Sequence, residues 1–183
     1  RDWSSDVCSS DLVSVVLRPE RPTPLLTLAA GVAIATGLQQ ATGLSVELKW
    51  PNDVYVGRRK LAGILAEGGT SPARGAFVVV GFGINIQPAA FPPELAEKVT
   101  SLEEELGRPV DRGLVMAECL AALQGSYSGL RVDEGRAVLG AWRERAQTFL
   151  GRTVEWDDSG VASRGTAVDV AADGGLIVET GKG

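Results

Sequence analysis

Lys49-Trp50-Pro51-Asn52-Asp53, Arg59-Lys60-Leu61-Ala62-Gly63-Ile64-Leu65 and Gly81-Phe82-Gly83-Ile84-Asn85 follow one another within 37 positions, and this stretch decides the fold. Val46, Leu48 and Trp50 alternate with Glu47 and Lys49, which predicts a half-buried strand presenting Lys49 on the face opposite the core. Pro51, which has no N–H to donate, ends the pairing there. A second strand is expected near Val54-Tyr55-Val56, then the turn Gly57-Arg58-Arg59, then a third strand from Lys60 to Glu67 that Gly68-Gly69 closes. Ala76 to Phe82 is the most strand-like run of the chain and leads directly into Gly83-Ile84-Asn85.

Upstream, Val13 to Arg18 is a β-branched run ended by Pro19, a strand signal. Next comes a helix in which Thr23 can cap, Pro24 suits the first position and Gly43 the exit. Leu25, Leu28, Val32, Ala35 and Leu38 leave it apolar almost all round, so it is expected to be buried. Downstream, Pro88, Pro92 and Pro93 mark a loop, and Ser101 can cap a short acidic helix to Leu106. Asp111 opens a longer helix whose stripe Met116, Leu120, Leu123, Tyr127 and Leu130 is read as a core face. A further helix carries Leu139, Trp142, Ala146 and Phe149. From Gly151 the pattern changes to short strands, Thr153 to Trp156, Gly165 to Val170 and Leu176 to Glu179, joined by Asp-rich turns.

At 183 residues with 44% hydrophobic and 22% charged positions, the chain can bury a full core. A formal net charge of −5 argues against a broad phosphate-binding face, so no nucleic-acid partner is expected. Histidine is absent, which removes imidazole bases, Ser-His triads and His-containing zinc sites from this chain. Cys8 and Cys119 form no metal-ligand or CxxC spacing. The apolar run from Leu25 to Leu38 is shorter than the roughly 20 residues of a membrane span. Cytoplasmic location without membrane contact is the expectation.

Taken singly, each motif has a plain structural explanation. Gly81-x-Gly83 lacks the third glycine of a dinucleotide fingerprint and fits a tight bend leaving a sheet. Lys49 can be a solvated strand residue, and Asn52 and Asp53 can be turn residues holding their own backbone. The three motifs in this order are another matter: the run from Lys49 to Asn85 resembles the biotin protein ligase family, most strongly there and more loosely through the helices and C-terminal strands.

The resemblance implies an α+β fold, with a mixed β-sheet packed against helices in the class II synthetase-like manner of biotin/lipoate ligases, and a small C-terminal SH3-like β-barrel. Residues 13–150 would form a partial catalytic domain and 151–183 a partial barrel. It implies ATP-dependent activation of biotin to biotinyl-5'-adenylate and transfer to a lysine of the biotin carboxyl carrier protein of acetyl-CoA carboxylase. ATP, biotin and Mg²⁺ are the implied small molecules, and a homodimer through sheet edges the implied assembly. Lys49 matches the catalytic lysine. Asp53 is a candidate for holding Mg²⁺ or ordering that lysine. Asn52 and Asn85 carry amides suited to adenine or ribose. Lys60 is placed near phosphates, and Gly63 and Gly83 where backbone approaches nucleotide without a Cβ in the way.

The opening string from Arg1 to Leu12 shows no period and resembles translated sequencing-adapter sequence, with a natural flexible terminus as the alternative. The Gly- and Arg-rich loop that the family carries upstream of the first strand is not found before Val13. The chain as written is therefore expected to be poorly soluble or inactive, with unpaired sheet edges. Two rivals stand beside the main reading. A lipoate protein ligase shares fold and adenylate chemistry, and a non-catalytic remnant would keep the nucleotide pocket without turnover.

Overall fold

Strand β1 (Ser10–Leu17) is followed by α1 (Leu25–Thr42), β2 (Glu47–Lys49), β3 (Asp53–Val56), β4 (Arg59–Ser71) and β5 (Gly75–Asn85). Then come α2 (Pro93–Ala96), α3 (Leu102–Leu106), α4 (Arg112–Gly129), α5 (Arg136–Arg145), β6 (Thr153–Asp158), β7 (Val161–Val170) and β8 (Leu176–Glu179). The computed structural model describes residues 10–20, 23–89, 92–158 and 160–181. The architecture is α+β, with two sheets ordered β1-β5-β4-β3-β2 and β6-β7-β8.

The expected mixed sheet is antiparallel in every pairing of its described strands. The cause is local: β2 to β5 are joined by short turns, and a strand that turns straight back can only pair antiparallel. One parallel bridge, Lys60 with Val99, lies outside the strand ladder. The C-terminal strands form an open three-stranded antiparallel sheet, and among the described residues no closed barrel is formed.

Two strand boundaries differ from expectation. Ser10, Asp11 and Leu12 extend β1 upstream of Val13, opposite Asn85, Ile84 and Gly83; residues 1–9 of the adapter-like string lie outside the described residues. Gly68-Gly69 does not close β4, which continues to Ser71. A Cβ on Gly69 would lie 2.6 Å from Phe77 Cζ, so glycine there makes room for the ring across the ladder.

Helix α1 is the centre of the core. The Thr23 hydroxyl accepts from Leu25 N at 3.2 Å, and Gly43 closes the far end at φ +79°. It is long and apolar enough to cross a membrane, yet 67% of that window is buried inside the protein. Its partners are Leu48, Val54, Ile64, Val80, Phe82 and Ile84 from one face of the sheet, and α4 and α5 on the other side. The α4 stripe is rotated from the expected one: Val115, Cys119 and Leu123 are buried while Leu120 is 38% exposed. Gly37 explains the rotation, because a Cβ there would stand 2.5 Å from Cys119 Cα and the two helix backbones meet at that point. The α5 face is as expected, with Leu139 and Trp142 buried and Trp142 edge-on to Phe149 at 6.4 Å.

Candidate active site

Side chains alternate between the faces of a sheet, so register alone assigns each strand residue to a face. Leu48 opposite Val54, Val54 opposite Ala62 and Ala62 opposite Ile84 make one row, which faces α1. The next row lies on the other face: Lys49 opposite Asp53, Asp53 opposite Gly63, Gly63 opposite Gly83, Gly83 opposite Leu12. A lysine and a carboxylate thus stand at one end of a floor whose next two positions have no side chain. Gly81, paired with Leu65, continues that bare strip on β5.

Lys49 is exposed, and its Nζ lies 5.2 Å from the centroid of the Tyr55 ring, where the electron-rich face attracts an ammonium. Tyr55 follows Asp53 by one strand period and so shares its face, a signal present in the sequence but missed there. Asp53 Oδ1 is 2.6 Å from Lys60 Nζ. The carboxylate is therefore committed to the second motif's lysine, which a register shift between Val54 and Tyr55 brings opposite Tyr55, out of step with Ala62 and Ile64. Among the described residues no group of three His, Cys, Asp or Glu could hold a metal ion. A magnesium ion fits here only as one already carried by phosphates, where a single carboxylate is enough.

The two asparagines have structural duties. Asn52 Nδ2 donates to Ile64 O at 2.6 Å while Ile64 N donates to Asn52 O at 2.9 Å, tying the entry of β3 to the middle of β4. Asn85 Nδ2 donates to Thr100 O at 3.0 Å, fixing the end of β5 to the segment before α3. That segment is held from its other side by Lys60, whose N–H donates to Lys98 O at 2.8 Å and whose carbonyl accepts from Thr100 N at 3.0 Å. Arg59 bridges to Glu104 and Glu105, and Thr100 Oγ1 donates to Glu105 at 2.7 Å. The Arg59-Lys60 motif thus braces the hairpin against α3 as well as carrying charge.

Beside β2 opens a cleft of about 1260 Å³ between the outer edge of the large sheet and the C-terminal sheet. Glu47, Lys49, Trp50, Tyr55, Arg58 and Lys98 line one side; Arg152, Glu155, Trp156 and Leu176 line the other. Sequence reading could not assemble this group, since its halves lie about a hundred residues apart and belong to no shared motif. Arg143 fixes the small sheet in place, reaching Asp169 Oδ1 at 2.6 Å and Val170 O at 2.9 Å. Arg143's hydrogen bond, helped by the backbone N–H of Val170, holds the Asp169 carboxyl below the ordinary aspartate range.

Residues 3–85 match the biotin/lipoate A/B protein ligase family. The bifunctional ligase/repressor BirA of Bacillus subtilis is 32% identical over 188 residues, covering all of this chain and 58% of that protein. The biotin--[acetyl-CoA-carboxylase] ligase of Mycobacterium tuberculosis is 29% identical, covering 99% of this chain and 68% of that one. The solved structure of the Aquifex aeolicus biotin protein ligase in complex with biotin and ATP superposes with a TM-score of 0.81 at 27% identity, covering 95% of this chain and 73% of that one. The chain spans somewhat over half the length of the first of these relatives. In sequence and in fold alike, the chain is similar to the catalytic core of biotin protein ligases.

Proposed function

We propose that the protein containing this chain activates biotin with ATP and passes it to a lysine of a biotin carrier protein. The observation that carries the reading is the cross-strand row from Lys49 through Asp53 to Gly63 and Gly83. In the first step a biotin carboxylate oxygen attacks the α-phosphorus, the bond to the bridging oxygen breaks, and pyrophosphate leaves. Two anions must meet, and at an effective dielectric near 20 two unit charges 4 Å apart repel by about 4 kcal/mol. The Lys49 ammonium, resting on Tyr55 with no carboxylate partner among the described residues, is free to stand between them. It also stabilises the charge that grows as the phosphorus is attacked.

In the second step an acceptor lysine amine attacks the acyl carbon, AMP departs, and the amine loses a proton. The bare strip at Gly63, Gly81 and Gly83 gives a flat acyl adenylate a floor without Cβ atoms. The cleft beside Lys49 exceeds the roughly 300–1,000 Å³ of an ordinary small-molecule site, which leaves space for an acceptor segment next to the adenylate. Lys60, paired with Asp53, supplies a further positive charge near phosphates. Mg²⁺ would arrive with ATP. We read β6 to β8 as three strands of an SH3-like barrel, and the exposed edge of β1 as the route to a homodimer; the support for both is the open hydrogen-bonding edges of these sheets.

The test is biotin-dependent exchange between ATP and labelled pyrophosphate in the full-length protein, run in parallel with lipoate. Biotin is expected to support exchange and lipoate not. Lys49→Ala is expected to lower the exchange rate by about 10²–10³, the loss typical of one preorganised electrostatic donor. Exchange that is indifferent to this substitution, or that prefers lipoate, would overturn the assignment.

A further inference from the structure

Lys49 closes a strand of three residues that is paired on one side only, through Glu47 with Tyr55, Leu48 with Val54 and Lys49 with Asp53. β2 is also the outermost strand of its sheet, so no neighbouring strand restrains its free edge. Its outer side is instead held at both ends by side-chain bonds to the C-terminal part of the chain. At one end the Thr148 hydroxyl donates to Glu47 Oε2. At the other, immediately after Lys49, Trp50 Nε1 donates to the Gly174 carbonyl at 3.0 Å.

The receiving carbonyl is itself well fixed. Gly174 sits at φ +88° in the turn between β7 and β8, where its N–H donates to Ala171 O at 2.9 Å. The next N–H, of Gly175, donates to Asp173 Oδ1 at 2.9 Å, and Ala171 N donates to Gly175 O at 2.8 Å. Leu25 and Leu28 of α1 pack against this turn so closely that a Cβ on Gly174 would be 3.2 Å from Leu25 Cδ2. The hydrogen bond therefore runs from the residue after Lys49 to a turn seated on the core helix.

We propose that Trp50 is a positioning residue. Through its indole N–H it transmits the placement of the C-terminal sheet to Lys49, so that the sheet sets where the ammonium stands in the first half-reaction. This inference rests on the role given to Lys49 above. Trp50 touches no reacting atom in this scheme; it acts only through its neighbour. Loss of one hydrogen bond of this kind is worth about 0.5–1.5 kcal/mol, which as a rate effect is about 2- to 12-fold.

The experiment is a double-mutant cycle on biotin-dependent pyrophosphate exchange in the full-length protein. Trp50→Phe keeps an aromatic ring and removes the N–H. It is expected to lower kcat by about 3- to 10-fold, with KM for ATP and biotin close to wild type and Tm lower by only about 1–6 °C. Combined with Lys49→Ala it is expected to cause no further loss, because residues acting through one another are not additive. Asp173→Ala loosens the same carbonyl from the other side and is expected to lower kcat in the same direction by about 2- to 3-fold, a check that stands even where Trp50→Phe fails to fold. A Trp50→Phe rate equal to wild type, or a loss repeated in full on the Lys49→Ala background, overturns the inference while leaving the ligase reading intact. Wild-type exchange that Lys49→Ala does not change overturns the role of Lys49, and the inference with it.

Discussion

Asn52→Asp separates two roles that the sequence leaves open. The substitution keeps the size of the side chain and exchanges the Nδ2 donor for a second oxygen. In the native structure Nδ2 faces Ile64 O at 2.6 Å, and the return bond from Ile64 N to Asn52 O is 2.9 Å long. The variant would set a carboxylate oxygen against that carbonyl. Losing the net bond costs about 0.5–1.5 kcal/mol, and leaving the carbonyl without its donor raises the cost toward about 1–3 kcal/mol. Asn52 is part-buried, so water compensates in part, and about 1.5–2 kcal/mol is the expected loss. For a protein of this length 1 kcal/mol moves Tm by about 2–4 °C, so a fall of about 3–8 °C should appear in thermal unfolding followed by circular dichroism. Well below Tm, KM for ATP should stay within about twofold of wild type, since the amide serves the backbone. A Tm within about 1 °C of wild type, accompanied by a KM for ATP raised about tenfold, would refute this and return Asn52 to nucleotide recognition.

Two further perturbations probe the scaffold. Gly37→Ala would bring a methyl carbon to 2.5 Å from Cys119 Cα, so α1 and α4 must part; overpacking of this sort costs about 1–3 kcal/mol, and Tm should fall by about 2–12 °C, with an unchanged Tm contradicting the close crossing. Asp169, with its pKa lowered chiefly by Arg143, stabilises the fold above the ordinary aspartate value of about 3.9, and that contribution is lost as pH falls through the depressed value. The pair is more than 40% exposed on both sides, so the effect is small. The Tm gap between wild type and Asp169→Asn should be widest near neutrality and close on acidification; a gap that widens toward low pH contradicts the linkage.

Periodicity carried most of the elements, because it is a property of neighbouring residues. Alternation at Val46 to Trp50 located β2 and put Lys49 on the outward face, and Ser101 and Asp111 marked two helix starts by accepting from Glu104 N and Leu114 N. What failed was set by contacts distant in sequence. The stripe on α4 turned because Gly37 lets a second backbone reach Cys119, and nothing within α4 records that. Likewise Gly68-Gly69 reads locally as a stop, yet the ring of Phe77 across the ladder needs the missing Cβ at Gly69.

The site divides along the same line. Motif residues identify which side chains matter, but their roles depend on register and on what the second half of the chain brings to them. Lys49, Asp53, Gly63 and Gly83 become one row only through pairings of β2 with β3, β3 with β4, and β4 with β5. A one-residue slip in any of these ladders would turn the following members toward α1, whose side is filled by Leu48, Val54 and Ile64. Burial of that apolar face therefore fixes the polar one. The core specifies the register, and the register in turn places the Lys49 ammonium at the head of a strip without side chains. Asn52 reinforces this link, because its two bonds with Ile64 lock β3 to β4 directly beside the Asp53–Gly63 pair. A side chain bonded to the backbone of the neighbouring strand can in this way determine where the residues of the strip stand.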